Sequence, residues 1–250
     1  MFLACALFIS IAAFGQMPSV SKWSQLPDMT GYDWSSETQV PSAVADDWVC
    51  ENGMPINQIT WWGSYYTPAI YPFNHSDNWS DPTIPNNTPP GTVIGFIISI
   101  YSDAGPSGAY SWNHPGDLLF STTVEATETL YGVATKPGGQ QENVWEYNVL
   151  LKPEDWFDQE LGTTYWLSIV AINSLGSSTF IPSIEWGWHQ TNLRFAEDAV
   201  QSGFNQNIEW DLLVDTEMAF ELGTIPEPST LTLIVSSLGL FGIFVRRRSR

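Results

Sequence analysis

Alternation of apolar and polar side chains at every second residue dominates the middle of the chain. In the stretch TVIGFIISIYS, Ile94, Phe96, Ile98 and Ile100 fall on one face, and Val93, Gly95, Ile97 and Ser99 on the other. NVWEYNVLL sets Trp145, Tyr147, Val149 and Leu151 against Glu146 and Asn148. TTYWLSIVAI sets Tyr165, Leu167, Ile169 and Ala171 against Trp166, Ser168, Val170 and Ile172. Successive side chains of a strand point to opposite faces, so this period of two predicts half-buried β-strands. Further strands are predicted over 45–50, 56–66, 118–124, 129–134, 184–189, 208–214 and 217–222, in a chain punctuated by Gly, Pro, Asn and Asp.

About ten strands without intervening helical periodicity predict an all-β fold, an antiparallel β-sandwich of jelly-roll type. The body of about 210 residues suits one such domain, large enough to bury a core without staples. The Pro-, Asn- and Ser-rich stretch 66–92 reads as a long loop, and TKPGGQQEN and NSLGSST read as hairpin or crossover loops.

The two ends break this pattern. MFLACALFISIAAFGQ is apolar from Phe2 to Phe14 with small residues before Gln16, which predicts a signal peptide over 1–15. It lacks the usual basic start. At the other end, the apolar run Leu231–Val245 carries no charge and is followed by Arg246, Arg247, Arg248 and Arg250. Fifteen residues of helix span roughly 22 Å, short of the ~30 Å hydrocarbon core unless flanking residues and snorkelling arginines extend it. The basic cluster favours a cytoplasmic end by the positive-inside rule.

The order of parts over 226–250, Pro226-Glu227-Pro228, apolar span, arginines, resembles the PEP-CTERM sorting signal of exported bacterial proteins. That resemblance implies recognition of Pro226, Glu227 and Pro228 by an exosortase, transient membrane anchoring by the apolar helix, and Arg246, Arg247, Arg248 and Arg250 as the stop. It also implies removal of the tail and a destination at the cell surface or in an exopolysaccharide matrix. The stretches YDWSSETQVPSAVADDWVC, ITWWGSYY, WGWHQTN and MAFEL resemble an uncharacterised extracellular β-domain found with this signal. That likeness implies a fold class and an export route, and no catalytic residues.

Charge narrows the partners. Residues 16–225 hold 26 of the 27 acidic side chains and only Lys22, Lys136, Lys152 and Arg194 of the basic ones, a net charge of −22. Such a surface repels nucleic acid and anionic lipid and attracts cations. Asp46 and Asp47 in ADDW and Asp103 in YSDAGPSG are candidate calcium ligands, although neither segment has EF-hand spacing. No other cofactor is expected. Of the two cysteines, Cys5 leaves with the signal peptide, so Cys50 is expected to be a buried, inert thiol rather than half of a disulfide.

Catalytic signals are sparse. Glu209 and Asp211 share one face of a predicted strand, and two carboxylates can serve glycoside hydrolysis. The third acid of the laminarinase-like strand pattern is replaced by Leu213 and Val214, so the pair reads as solvated surface. His75, His114 and His189 have no second histidine at metal-ligand spacing, and His189 reads as a polar tip at a strand end. The 13 tryptophans are the richer feature. Most serve the core. Trp62, as the outward member of the Trp61-Trp62 pair, and Trp79 and Trp112, among Asn, Asp and Ser, are candidates for stacking on sugar rings. The sequence therefore predicts a non-enzymatic surface or matrix protein, structural or adhesive. A lectin-like carbohydrate-binding module is the alternative and a glycoside hydrolase a more distant one.

Overall fold

The period-two segments assemble into two antiparallel sheets packed face to face. The computed structural model describes residues 19–38, 42–66, 93–108, 110–139, 141–173, 185–195, 197–203 and 209–225. Nearly all of these belong to one compact unit, Ser21–Thr224. The predicted signal peptide, the 66–92 loop beyond Tyr66 and the tail from Pro226 lie outside the described residues.

Among the described residues, one sheet has eight strands: β1 (Val20–Gln25), β2 (Asp33–Ser35), β4 (Gln58–Tyr66), β7 (Thr127–Thr135), β8 (Gln141–Leu150), β10 (Glu185–Thr191), β13 (Glu217–Met218) and β14 (Phe220–Thr224). The other has six: β3 (Ser42–Val49), β5 (Val93–Ala104), β6 (His114–Val124), β9 (Thr164–Asn173), β11 (Val200–Gly203) and β12 (Trp210–Leu212), in the order β12-β11-β3-β9-β5-β6. The long strand β4 organises the first sheet. It pairs with β8 over Gln58–Gly63, and with β14 and then β10 in succession along its length.

The predicted alternation is borne out where it is strongest. Phe96, Ile98 and Ile100 of β5, Trp145, Tyr147 and Val149 of β8, and Tyr165, Leu167, Ile169 and Ala171 of β9 all enter one core. Large rings fill it. Trp61 stacks on Tyr147 at 5.6 Å, and Phe96 meets Trp61, Tyr147 and Trp186 edge-on at 4.9, 4.9 and 5.2 Å. Such pairs add about 0.5–1.5 kcal/mol each beyond the area they bury. Close packing also explains Gly63: a Cβ there would lie 2.6 Å from the Gly187 carbonyl of the paired strand β10.

Two smaller clusters cover outer faces of the sheets. Met29, Trp62, Ala134, Val144 and Ala219 pack together on the first sheet. Ala43, Ala45, Trp166, Val170, Val200 and Trp210 pack together on the second, with Tyr110 and Trp112 against them. These covers correct the expectation that the outward ring of the Trp61-Trp62 pair is at the surface. Trp62 is only 1% exposed, with Tyr131 edge-on at 5.6 Å.

Three strands escaped the sequence reading. β1 and β2 have too few alternations to stand out, and β11 (VQSG) is nearly all small or polar. The predicted strand over 208–214 is shorter, and that over 217–222 is broken at Ala219. Here the Ala219 N–H donates to the His189 carbonyl and the Ala219 carbonyl accepts from Trp188 Nε1 at 2.8 Å. TKPGGQQEN does form a β7–β8 hairpin, with Gly138 and Gly139 at φ 103° and 84° where side chains are strained.

Candidate functional site

Among the described residues, polar chemistry concentrates in three places, two of them buried clusters of acids. The first lies on the outer face of the eight-stranded sheet. Antiparallel pairing of β2 with β10 puts Asp33 opposite His189. Glu142 comes from the start of β8, and Lys136 from the hairpin turn just before it. His189 Nδ1 lies 2.7 Å from Asp33 Oδ1 and its Nε2 lies 2.8 Å from the Asp28 carbonyl oxygen. A carbonyl and a carboxylate both accept, so both ring nitrogens act as donors and the ring is an imidazolium. Lys136 Nζ lies 2.5 Å from Glu142 Oε2 and 3.4 Å from Asp33 Oδ2.

The electrostatics follow from burial and pairing. Burial disfavours a charged His189, but the Asp33 charge and hydrogen bond outweigh it and raise its pKa. Burial raises Asp33 too, but the imidazolium, Glu142 and Lys136 together hold its carboxyl well below the usual carboxylate range. Burial and the Asp33 charge push Glu142 up to about 10 against the pull of Lys136. Asp33, Glu142 and His189 are close enough to share a metal ion. Lys136 already stands against both carboxylates, so the cluster carries its own counterions. The histidine expected as a polar strand tip is instead the buried centre of this network.

Among the described residues, no basic side chain pairs with the second cluster. Pairing of β3 with β11 ends at Ala45, and the next two residues, Asp46 and Asp47, meet Glu217 of β13. All three are nearly fully buried, at 0%, 1% and 2% exposure. Asp46 Oδ2 accepts from the Met218 N–H at 2.7 Å and Oδ1 from the Asp47 N–H at 3.0 Å. Asp47 Oδ1 accepts from the Glu197 N–H at 3.3 Å, and Glu217 Oε2 from Gln25 Nε2 at 3.4 Å. Burial, then mutual repulsion, raises Asp46 well above the carboxylate range. Burial is also the main cause at Asp47 and Glu217, both raised to about 7. Of the acids singled out as calcium candidates, Asp103 does not join Asp46 and Asp47 in this cluster. The Asp103 carboxylate accepts from Trp166 Nε1 at 2.9 Å and from Asn113 Nδ2 at 3.4 Å, and Glu217, about 170 residues along the chain, joins the pair instead.

The third place is an open cavity of about 190 Å³ lined by residues including Tyr65, Phe96, Glu125, Glu128 and Tyr147. The Tyr65 and Tyr147 hydroxyls each donate to Glu128 Oε1 at 2.7 Å, and Trp186 Nε1 donates to the Tyr147 hydroxyl at 3.1 Å. Burial raises Glu128, and the two tyrosine hydrogen bonds partly offset it.

The remaining candidates are scattered. Glu209 and Asp211 are both exposed, Asp211 on β12, which is the last strand of its sheet. Trp112 is half-buried against Tyr110 at 5.6 Å, on the far sheet from Trp62. Trp79, His75, Pro226, Glu227, Pro228 and the terminal arginines lie outside the described residues. Cys50 is free and buried, and its sulfur accepts from the Gly53 N–H at 3.3 Å. Nothing in the local sequence marks Asp33, Glu142 and Lys136 as partners of His189, because strand pairing alone brings them together.

A family model described as a domain of unknown function (DUF7901) matches residues 21–229. A second, described as a PEP-CTERM protein-sorting motif, matches residues 224–248. No curated protein matches the chain.

Proposed function

Because this chain belongs to the DUF7901 family and ends in a PEP-CTERM sorting motif, we propose that it is a non-catalytic structural or adhesive component of the bacterial cell surface or exopolysaccharide matrix. The motif makes it an exported protein sorted by an exosortase at the cell envelope. Beyond that address, the observation that carries the reading is how the reactive side chains are used. Asp33, Glu142, His189 and Lys136 are spent on one another, buried on the outer face of the eight-stranded sheet. Glu209 and Asp211 are exposed at a sheet edge, Asp211 on β12 and Glu209 just before it. A glycosidase needs two carboxyls about 5–10 Å apart across a cleft that holds the sugar.

The lectin alternative is weakened by Trp62, whose ring lies under Tyr131, Met29 and the β8 side chains. It keeps Trp112, and Trp79 on sequence grounds. The acidic surface suits a matrix protein, since like-charged molecules stay soluble until cations or specific contacts hold them.

The test compares a strain lacking the gene with strains expressing the full chain or a Pro226→Ala/Glu227→Ala/Pro228→Ala variant. Matrix cohesion and the surface-associated fraction of the protein are the readouts. The full chain should restore cohesion and the variant should not, while retaining its tail by mass. Unchanged cohesion in the deletion strain sinks the matrix role. Saturable binding of the purified protein on a glycan array, lost in Trp112→Ala, replaces it with the lectin reading.

A further inference from the structure

The two buried acid clusters differ in one respect. Around Asp33 and Glu142 the fold supplies Lys136 and His189. Around Asp46, Asp47 and Glu217 the charged neighbours that act on them are Asp103, Glu197 and Asp198, all acidic. The basic side chain of the adjoining loop, Arg194, is held at the surface by Asp198 and Asp215, at 2.5 and 2.8 Å.

A second observation comes from a residue that is not an acid. Gln25 of β1 is fully buried, and its Nε2 reaches Glu217. Its Oε1 is buried without a hydrogen-bond partner, and so is Asp47 Oδ2. Asp33 Oδ2 and both Glu142 carboxyl oxygens also have no hydrogen-bond partner, but Lys136 stands 3.4 and 2.5 Å from that pair. No basic group among the described residues does the same for Asp47 Oδ2, and a buried polar atom left unsatisfied is costly. Half a turn of the Gln25 carboxamide exchanges its two polar atoms and presents the oxygen to the cluster.

We propose that Asp46, Asp47, Glu217 and the Gln25 carboxamide form a binding site for a divalent cation of the calcium class. One ligand atom of each acid lies within 4.8 Å of the others. Oxygens that share a calcium at about 2.3–2.6 Å are separated by no more than about twice that distance. The donors are all oxygen, with no sulfur or imidazole, which selects a hard cation over zinc or copper. Three adjacent carboxylates this deeply buried repel one another, and a bound cation would relieve that repulsion.

The placement gives the ion a role. Asp46 and Asp47 belong to the six-stranded sheet, while Gln25 and Glu217 belong to the eight-stranded one. The cation therefore ties the two sheets together, in a domain whose described cysteine is unpaired. This holds whether or not the matrix role does.

The test uses the full chain in detergent, stripped with chelator and titrated with calcium chloride by calorimetry and thermal unfolding. One saturable site per chain is expected, with a midpoint on the order of 10⁻⁴–10⁻³ M if it behaves like other extracellular modules, and a melting temperature that rises with calcium. Asp47→Asn/Glu217→Gln keeps side-chain size and removes two repelling charges, so it should fold and melt no lower than wild type in chelator. Its calcium affinity should fall at least tenfold. Absence of a saturable heat and of any calcium-dependent melting shift in the wild type overturns the proposal. So does calcium binding that survives unchanged in the double variant, which would place the ion elsewhere on the acidic surface.

Discussion

Replacing His189 with Gln probes the compensated cluster most directly. The ring makes hydrogen bonds of 2.7 Å to Asp33 and 2.8 Å to the Asp28 carbonyl. Asp33, with its side chain 2% exposed, would keep Lys136 at 3.4 Å and lose the closer cation. Hydrogen bonds to charged groups contribute about 1.5–3 kcal/mol each, and breaking one side of a buried ion pair costs about 3–5 kcal/mol. Glutamine can replace one of the two donors and Lys136 remains, so the expected loss is about 3 kcal/mol, toward the lower end of that range. Asp33→Asn should couple to His189→Gln in a double-mutant cycle by about 1.5–3 kcal/mol.

The pH dependence has a definite sign. The folded pKa of His189 is raised above the ordinary histidine value of about 6.5. Its contribution is therefore complete below about 6.5 and fades as pH rises through the folded value. Glu142, raised to about 10, also binds a proton more tightly in the folded state, so it too favours the native form less at alkaline pH. Asp33, lowered, contributes above its unfolded value and loses that contribution only in acid. The gap between wild type and His189→Gln should thus be widest near about pH 6 and narrow at alkaline pH. Urea unfolding followed by tryptophan fluorescence measures it, provided the slope is unchanged. A loss under about 1 kcal/mol, or a gap that is constant with pH, refutes a buried imidazolium at this position.

Two further outcomes follow from packing. Gly63→Ala puts a methyl 2.6 Å from the Gly187 carbonyl and against the Trp186 ring, and overpacking of this kind costs about 1–3 kcal/mol; a melting temperature equal to wild type would contradict the strand spacing. In a Cys5→Ser background, the buried Cys50 thiol should react with a thiol reagent only at the rate of unfolding, and rapid stoichiometric labelling of the folded protein would show the site to be open.

The strands that could be read in advance are those whose two faces meet different surroundings. β5, β8 and β9 put one row into the central core, and their alternation survives in the residues themselves. Trp186 and Trp188 likewise separate from Gly187 and His189 as the strand period requires. The pattern fails where outer faces are covered as well. Trp62 and Trp166 point away from the centre yet are buried, because a loop carrying Met29 and a segment carrying Tyr110 and Trp112 lie over them. Local alternation assigns a side chain to a face and says nothing about what else packs on that face.

By itself, the sequence determined the β-rich architecture and the cellular address. Both are written in contiguous residues: period-two rows for the strands, and Pro226-Glu227-Pro228 with its apolar run and arginines for sorting. It also singled out Asp46 and Asp47 as candidate calcium ligands, since adjacent acids are visible locally. Only the tertiary structure decided which groups answer them. Asp33 meets His189 through the β2–β10 register, Lys136 reaches Glu142 across a hairpin, and Glu217 and Gln25 close on Asp46 and Asp47 from the opposite sheet. A buried charge depends on neighbours within a few ångströms. In an antiparallel sandwich those neighbours arrive from distant parts of the chain.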